Sequence, residues 1–119
     1  MRFVLFTYPD PAYAARWDAM SEEEREDSLT EHIAWFERHG ERIRGGADLA
    51  WPKAARTVRR RAGQPVTTDG PFVEGKELLG GVIIIEVDGW DTALAMAAEW
   101  PSLLQGPGAG VQVEAVTEH

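Results

Sequence analysis

A stiff loop that gathers charged groups runs from Asp69 to Glu77 and reads Asp-Gly-Pro-Phe-Val-Glu-Gly-Lys-Glu. It holds three carboxylates, Asp69, Glu74 and Glu77, and one ammonium, Lys76. Gly70 permits unusual backbone angles, and Pro71 stiffens the turn while biasing Gly70 towards extended ones. A stiff loop that carries charges can serve as a binding edge. The candidate ligand-binding set is therefore Gly70, Pro71, Phe72, Glu74, Lys76 and Glu77. The bland alternative is a solvated loop between two strands with Phe72 tucked into the core. On residue chemistry alone the bland alternative is ahead.

The second feature is His32, on the flank of an expected helical stripe of Leu29, Ile33 and Phe36. Histidine is the side chain best suited to proton transfer near neutral pH. The structural alternative is a histidine at the core edge, bonded to a backbone carbonyl. The third feature is the arginine group Arg56, Arg59, Arg60 and Arg61. On an extended strand Arg59 and Arg61 share one face and Arg60 takes the other. Guanidinium forks suit carboxylates and phosphates, but a charged edge strand that resists aggregation explains them as well.

Several chemistries are disfavoured. There is no cysteine, so disulfides, thiol catalysis and cysteine-bound zinc are excluded. His32 and His39 are seven apart, wider than the spacing of a helical zinc pair. No metal site or cofactor is expected. Gly106-Pro-Gly-Ala-Gly precedes a strand rather than a helix, so it is not a phosphate loop, and no serine nucleophile elbow occurs. The net charge of −8 disfavours nucleic acid. No apolar run could span a bilayer, and a cytoplasmic protein is expected.

The elements that must position these groups fit one domain in 119 residues. Arg2 to Tyr8 reads as a strand, apolar on both faces. Ser21 and Glu24 form a capping box for a long helix, whose stripe is Leu29, Ile33, Phe36 and Ile43 and whose terminators are Gly45 and Gly46. Ala47 to Trp51 and Ala55 to Ala62 are strands, and Gly63-Gln64-Pro65 returns the chain through Val66 to Thr68. Gly80 to Val87 is a central strand. Trp90 to Trp100 is a helix with Ala93, Leu94, Ala97 and Trp100 inward. Gly106 to Gly110 is a flexible linker before a last strand, Val111 to Val116. The β-α-β-β-β-α-β order is close to the split βαβ arrangement of an α+β, ferredoxin-like fold. Two helices cover one sheet face only, so strands apolar on both faces imply a homodimer packed sheet on sheet.

Thr-Asp-Gly-Pro-Phe-x-Glu-x-Lys-Glu-x-Leu-Gly-Gly, from Thr68 to Gly81, resembles the signature of the DGPF family, a branch of the YCII-related proteins. The resemblance continues through Ile84 to Val87, Ala93, Ala97 and Pro101. In the first half it takes in a strand, Ser21 to Glu24, and a helix carrying His32. It implies a single domain over 1–119 with a dimeric α/β-barrel fold. Some YCII-related proteins are dehydrochlorinase-like enzymes, and many DGPF proteins are encoded beside extracytoplasmic-function sigma factors. The resemblance also implies a catalytic histidine paired with an aspartate. His32 matches the histidine. The aspartate has no clear match; Asp69 is the candidate to reach His32 across the fold, and Glu41 is a poorer one. The arginine-proline pair usual in the last strand is replaced by Glu114 and Ala115.

Two functions are in view. One is a cofactor-free lyase or isomerase working by acid–base chemistry on a small polar or aromatic molecule, with a cleft between the sheet and the Asp69 loop. The other is a non-catalytic module binding a small ligand or a sigma-factor-linked partner. A purely structural dimer ranks third.

Overall fold

The computed structural model describes residues 1–50, 54–75 and 78–118. In chain order the elements are β1 (Arg2–Tyr8), α1 (Pro11–Arg16), α2 (Glu22–His39), β2 (Ile43–Asp48), β3 (Arg56–Arg61), β4 (Gln64–Asp69), β5 (Gly81–Glu86), α3 (Trp90–Ala98) and β6 (Gly110–Ala115). Short 3-10 turns follow α1, α2 and α3. The main sheet has the order β2-β5-β1-β6, and every pairing in it is antiparallel. The architecture is α+β and consistent with a ferredoxin-like fold. Against the expected β-α-β-β-β-α-β order, α1 is added and four strands rather than three lie between α2 and α3, with β3–β4 set aside as a separate two-stranded ribbon.

Alternation along the central strands decides which face is covered. Phe3, Leu5 and Thr7 of β1, with Ile83 and Ile85 of β5, are buried. They meet Trp35 of α2 and Ala93, Met96 and Ala97 of α3, with Trp100 just beyond it. Val4, Phe6, Val82 and Ile84 point to the opposite face and are only half-buried.

The capping box at α2 is present as expected: Glu24 N–H donates to Ser21 Oγ at 3.1 Å, and Ser21 N–H donates to Glu24 Oε1 at 3.3 Å. The inward stripe of that helix differs from expectation. Leu29 and Ile33 are 53% and 56% exposed, whereas Ser28, Trp35 and His39 are buried. Residues 28, 32, 35 and 39 recur at helical spacing just as 29, 33 and 36 do, so periodicity offers two faces. The Trp35 indole decides between them, because it fills the core and donates its N–H to the Met96 carbonyl at 3.0 Å.

Other expectations are corrected in the same way. α2 ends at Gly40, and Ile43 belongs to β2 and packs against the core. Gly45 and Gly46 lie inside β2, at and after a register shift, and do not terminate the helix. Gly46 has φ +155° and brings its Cα so close to β5 that a Cβ would sit 2.5 Å from the Val82 carbonyl oxygen. Met96 rather than Leu94 faces inward on α3. Trp51, the expected end of β2, lies outside the described residues. The radius of gyration is 16.2 Å, against roughly 13.5 Å for a round domain of this length. The β3–β4 ribbon accounts for the difference in part, since it contributes no residue to the core. Among the described residues no helix is long and apolar enough to cross a membrane.

The segment from Gly106 to Gly110, expected to be a flexible linker, is a cradle. Asp10 caps α1 by accepting from Tyr13 N–H at 3.0 Å, and it also accepts from Gly108 N–H at 2.8 Å. A Cβ on Gly106 would lie 2.4 Å from the Asp10 carboxyl carbon, so only glycine lets the backbone wrap this carboxylate. These N–H donors, Tyr13 first and Gly108 next, hold the Asp10 carboxyl below its ordinary value of 3.8. A depressed carboxylate pKa stabilises the fold above the unfolded value and ceases to do so as pH falls through the folded one. Acid titration of the melting temperature is therefore expected to fall less steeply below about pH 4 in Asp10→Asn than in the parent. Parallel curves would remove Asp10 from this role.

Candidate active site

α1, α2, the strand ends and the turn after α3 enclose a cleft of about 310 Å³. Its lining includes four aromatic rings, with Tyr13 beside Trp17 and Phe36 beside Trp100. Thr7 and Asp48 come from the sheet and Gly80 from the residue before β5, and Ser28, His32, Ser102 and Gln105 supply most of its other polar groups.

His32 is held at both ring nitrogens. Nδ1 is 2.7 Å from the Ser28 carbonyl oxygen, one helical turn back, and Nε2 is 2.9 Å from Ser102 Oγ. A carbonyl has no proton to give, so in the neutral ring Nδ1 carries the hydrogen and donates. Nε2 is then the basic nitrogen and accepts the Ser102 hydroxyl proton. The Trp100 ring stands edge-on to the imidazole at 4.8 Å and fixes its plane. Gln105 Nε2 donates to Ser28 Oγ at 2.9 Å and ties the turn to the helix. The structural alternative for His32, a bond to a backbone carbonyl, is thus present together with the reactive geometry. The carbonyl sets the tautomer that makes the other nitrogen basic.

The Asp69 loop lies elsewhere. Asp69 ends β4 with its side chain fully exposed, 4.0 Å from Arg56 Nε. It is not among the residues that line the cleft, and neither are Gly70, Pro71, Phe72 or Glu74. Gly70, at φ +101°, donates its N–H to the Ala55 carbonyl at 2.8 Å and accepts from Thr57 Oγ1 at 2.7 Å. Arg59 donates to the Phe72 carbonyl at 3.1 Å and lies 4.6 Å from the centre of the Phe72 ring. Phe72 is 68% exposed and not tucked into the core. This part of the signature clasps the base of the ribbon, and Arg59 is spent on that clasp. Lys76 and Glu77 lie outside the described residues. The end of the signature does reach the cleft. Gly80 lines it, and a Cβ on Gly81 would sit 2.9 Å from the Ala47 carbonyl oxygen.

The structure therefore brings His32 to the cleft and leaves Asp69 outside it. The carboxylate that lines the cleft with His32 is Asp48. Glu41 lies with the Arg38–His39–Glu99 cluster at the far end of α2, where Glu99 accepts from both Arg38 and His39 at 3.1 Å. Sequence reasoning missed Ser28, Asp48, Ser102 and Gln105. Ser28 had a signal, being four residues before a helical histidine. Ser102 had none, because 70 residues separate it from His32.

Comparisons with known proteins agree with this architecture. The model of the YCII-related domain matches residues 1–117. An uncharacterised protein of Rhizobium meliloti (strain 1021) is 33% identical over 101 residues, covering 83% of this chain and 79% of that protein. A solved structure of 5-chloro-2-hydroxyhydroquinone dehydrochlorinase from Burkholderia phenoliruptrix AC1100, in complex with 2,5-dihydroxybenzoquinone, superposes with a TM-score of 0.55. That likeness covers 100% of this chain and 96% of the enzyme at 17% identity, and so concerns the fold. With a family match over nearly its whole length, the chain belongs to the YCII-related domain family.

Proposed function

We propose that this protein is a cofactor-free enzyme of the lyase or isomerase kind, acting on a small hydroxylated aromatic or quinone-like molecule. The observation that carries the reading is the oriented His32, held by the Ser28 carbonyl at Nδ1 and by Ser102 Oγ at Nε2 in a cleft with aromatic walls. In such a site a flat ring is held by Trp17, Trp100, Tyr13 and Phe36. His32 takes a proton from a ring hydroxyl or ring carbon, directly or through the Ser102 hydroxyl, and returns it elsewhere on the ring. Asp48 orients a hydroxyl from the sheet side. The dehydrochlorinase with the related fold supports the substrate class, because its named ligand is a dihydroxylated quinone. The finer placement in the DGPF branch rests on the Thr68–Gly81 signature.

Binding is tested by fluorescence, since two tryptophans line the cleft. Titration with 2,5-dihydroxybenzoquinone and related hydroquinones is expected to give saturable quenching that weakens in Trp17→Ala. Absence of saturation across the panel would reject the substrate class. Saturation with no turnover by any member would make the protein a binding module instead.

The same reading places the chain in a homodimer, formed through the half-buried face of Val4, Phe6, Val82 and Ile84. The pairs Arg2–Glu86 at 3.1 Å and Arg44–Glu86 at 3.6 Å form a polar border to that patch. Sedimentation is expected to show a dimer that Phe6→Glu converts to monomer. A monomeric parent at tens of micromolar would contradict it.

A further inference from the structure

We propose that Ser102 is a covalent nucleophile, which takes acyl groups from aryl esters of small carboxylic acids. The inference rests on the proposed reading only in using the same aromatic cleft; the geometry that supports it is separate. A hydroxyl becomes nucleophilic when a general base lies within hydrogen-bond reach and a third group orients that base. All three parts are present. Ser102 Oγ is 2.9 Å from His32 Nε2, and His32 Nδ1 is 2.7 Å from the Ser28 carbonyl. The carbonyl fills the place that a carboxylate takes in a serine–histidine–aspartate triad. It fixes the tautomer without adding a negative charge.

The position of the serine suits this role. Ser102 is the second residue of the 3-10 turn that Pro101 opens, lines the cleft, and is only 8% exposed. A hydroxyl held this way is shielded from bulk water while it faces the cavity. Trp100 blocks rotation of the imidazole, and Gln105 holds Ser28, so the base cannot drift from the hydroxyl. No nucleophile elbow is involved, which is why the local sequence gives no sign of it.

The chemistry balances without a co-reactant other than water. Ser102 Oγ forms a bond to the acyl carbon as the bond from that carbon to the aryl oxygen breaks. The hydroxyl proton passes to His32 Nε2 and from there to the departing aryl oxide, which leaves as a phenol within the aromatic walls. In the second half, water gives a proton to Nε2 and its hydroxyl to the acyl carbon. The bond from the acyl carbon to Ser102 Oγ breaks, Nε2 returns its proton to Oγ, and the carboxylic acid departs.

The experiment is acetylation of the full-length protein by 4-nitrophenyl acetate, followed by absorbance and by peptide mass spectrometry. The expected result is a burst of nitrophenol close to one equivalent, with a single acetyl group on the peptide containing Ser102. Ser102→Ala is expected to lose both, Ser102→Cys to keep them, and His32→Ala to slow the burst by roughly 100-fold or more. No burst in the parent, an acetyl group elsewhere, or a burst unchanged in Ser102→Ala would each overturn the proposal. The hydroquinone titration separates the two readings. Saturable quenching without acetylation overturns the nucleophile alone, whereas acetylation without quenching supports it and removes only the quinone substrate.

Discussion

Replacing Trp35 with alanine is expected to cost about 4 kcal/mol of folding stability. The indole is 0% exposed and touches both helices and the sheet-side core. Trp100 meets it edge-on at 5.0 Å, and Phe36 and His39 lie at 5.2 and 5.0 Å. Its removal opens a large cavity and strips the Met96 carbonyl of its side-chain donor. A domain of this size holds roughly 5–15 kcal/mol in all, so the loss is a large share. Urea unfolding checks it, with Ile33→Ala as the comparison. Ile33 is exposed in the same helix, and its truncation is expected to stay within about 0.5 kcal/mol. Equal losses in the two variants would contradict the buried face assigned to α2.

Replacing His32 with alanine is expected to lower turnover by roughly 10²- to 10⁴-fold, the usual share of a positioned acid–base group. Binding of the aromatic ligand is expected to change little, because the walls that hold it are Trp17, Tyr13, Phe36 and Trp100. The loss therefore falls on kcat rather than on KM. Asp69→Asn is expected to leave turnover unaltered, since that carboxylate is fully exposed at the end of the ribbon. Asp48→Asn is expected to reduce it. Steady-state kinetics on a substrate found among the hydroquinones checks all three, and an Asp69 effect larger than that of Asp48 would reverse the assignment of the cleft.

Much of the scaffold was legible in the residues. The two-faced apolar strands β1 and β5, the capping box at Ser21 and the turn at Gly63 are local patterns, and local patterns survive into the fold. The stripe on α2 was misread because two helical faces compete there, and tertiary packing of one tryptophan chose between them. α1 was missed although Asp10-Pro11 is a good start signal, an N-cap followed by proline in the first turn. His32 could be singled out by residue type. Its partner could not, because the contact with Ser102 joins distant segments, and the contact with Ser28 runs through a backbone atom that every residue shares.

The signature from Thr68 to Gly81 takes on a divided role. Its first half locks the β3–β4 ribbon through Gly70, Thr57, Phe72 and Arg59, and at its end Gly80 lines the cleft while Gly81 lies close against the Ala47 carbonyl. The stretch from Gly70 to Phe72 is a clasp on the ribbon, while His32, the proposed proton-handling group, stands on α2 and lines the cleft.

The central claim is that the neutral form of His32 carries its hydrogen on Nδ1 and accepts from Ser102 at Nε2. Long-range proton–nitrogen correlation NMR of the ring, on ligand-free protein at pH 8.5, tests it most directly. The predicted spectrum shows a protonated Nδ1 and an unprotonated Nε2, with the Nε2 signal shifting in Ser102→Ala. A proton on Nε2, or rapid averaging of the two tautomers, would contradict it.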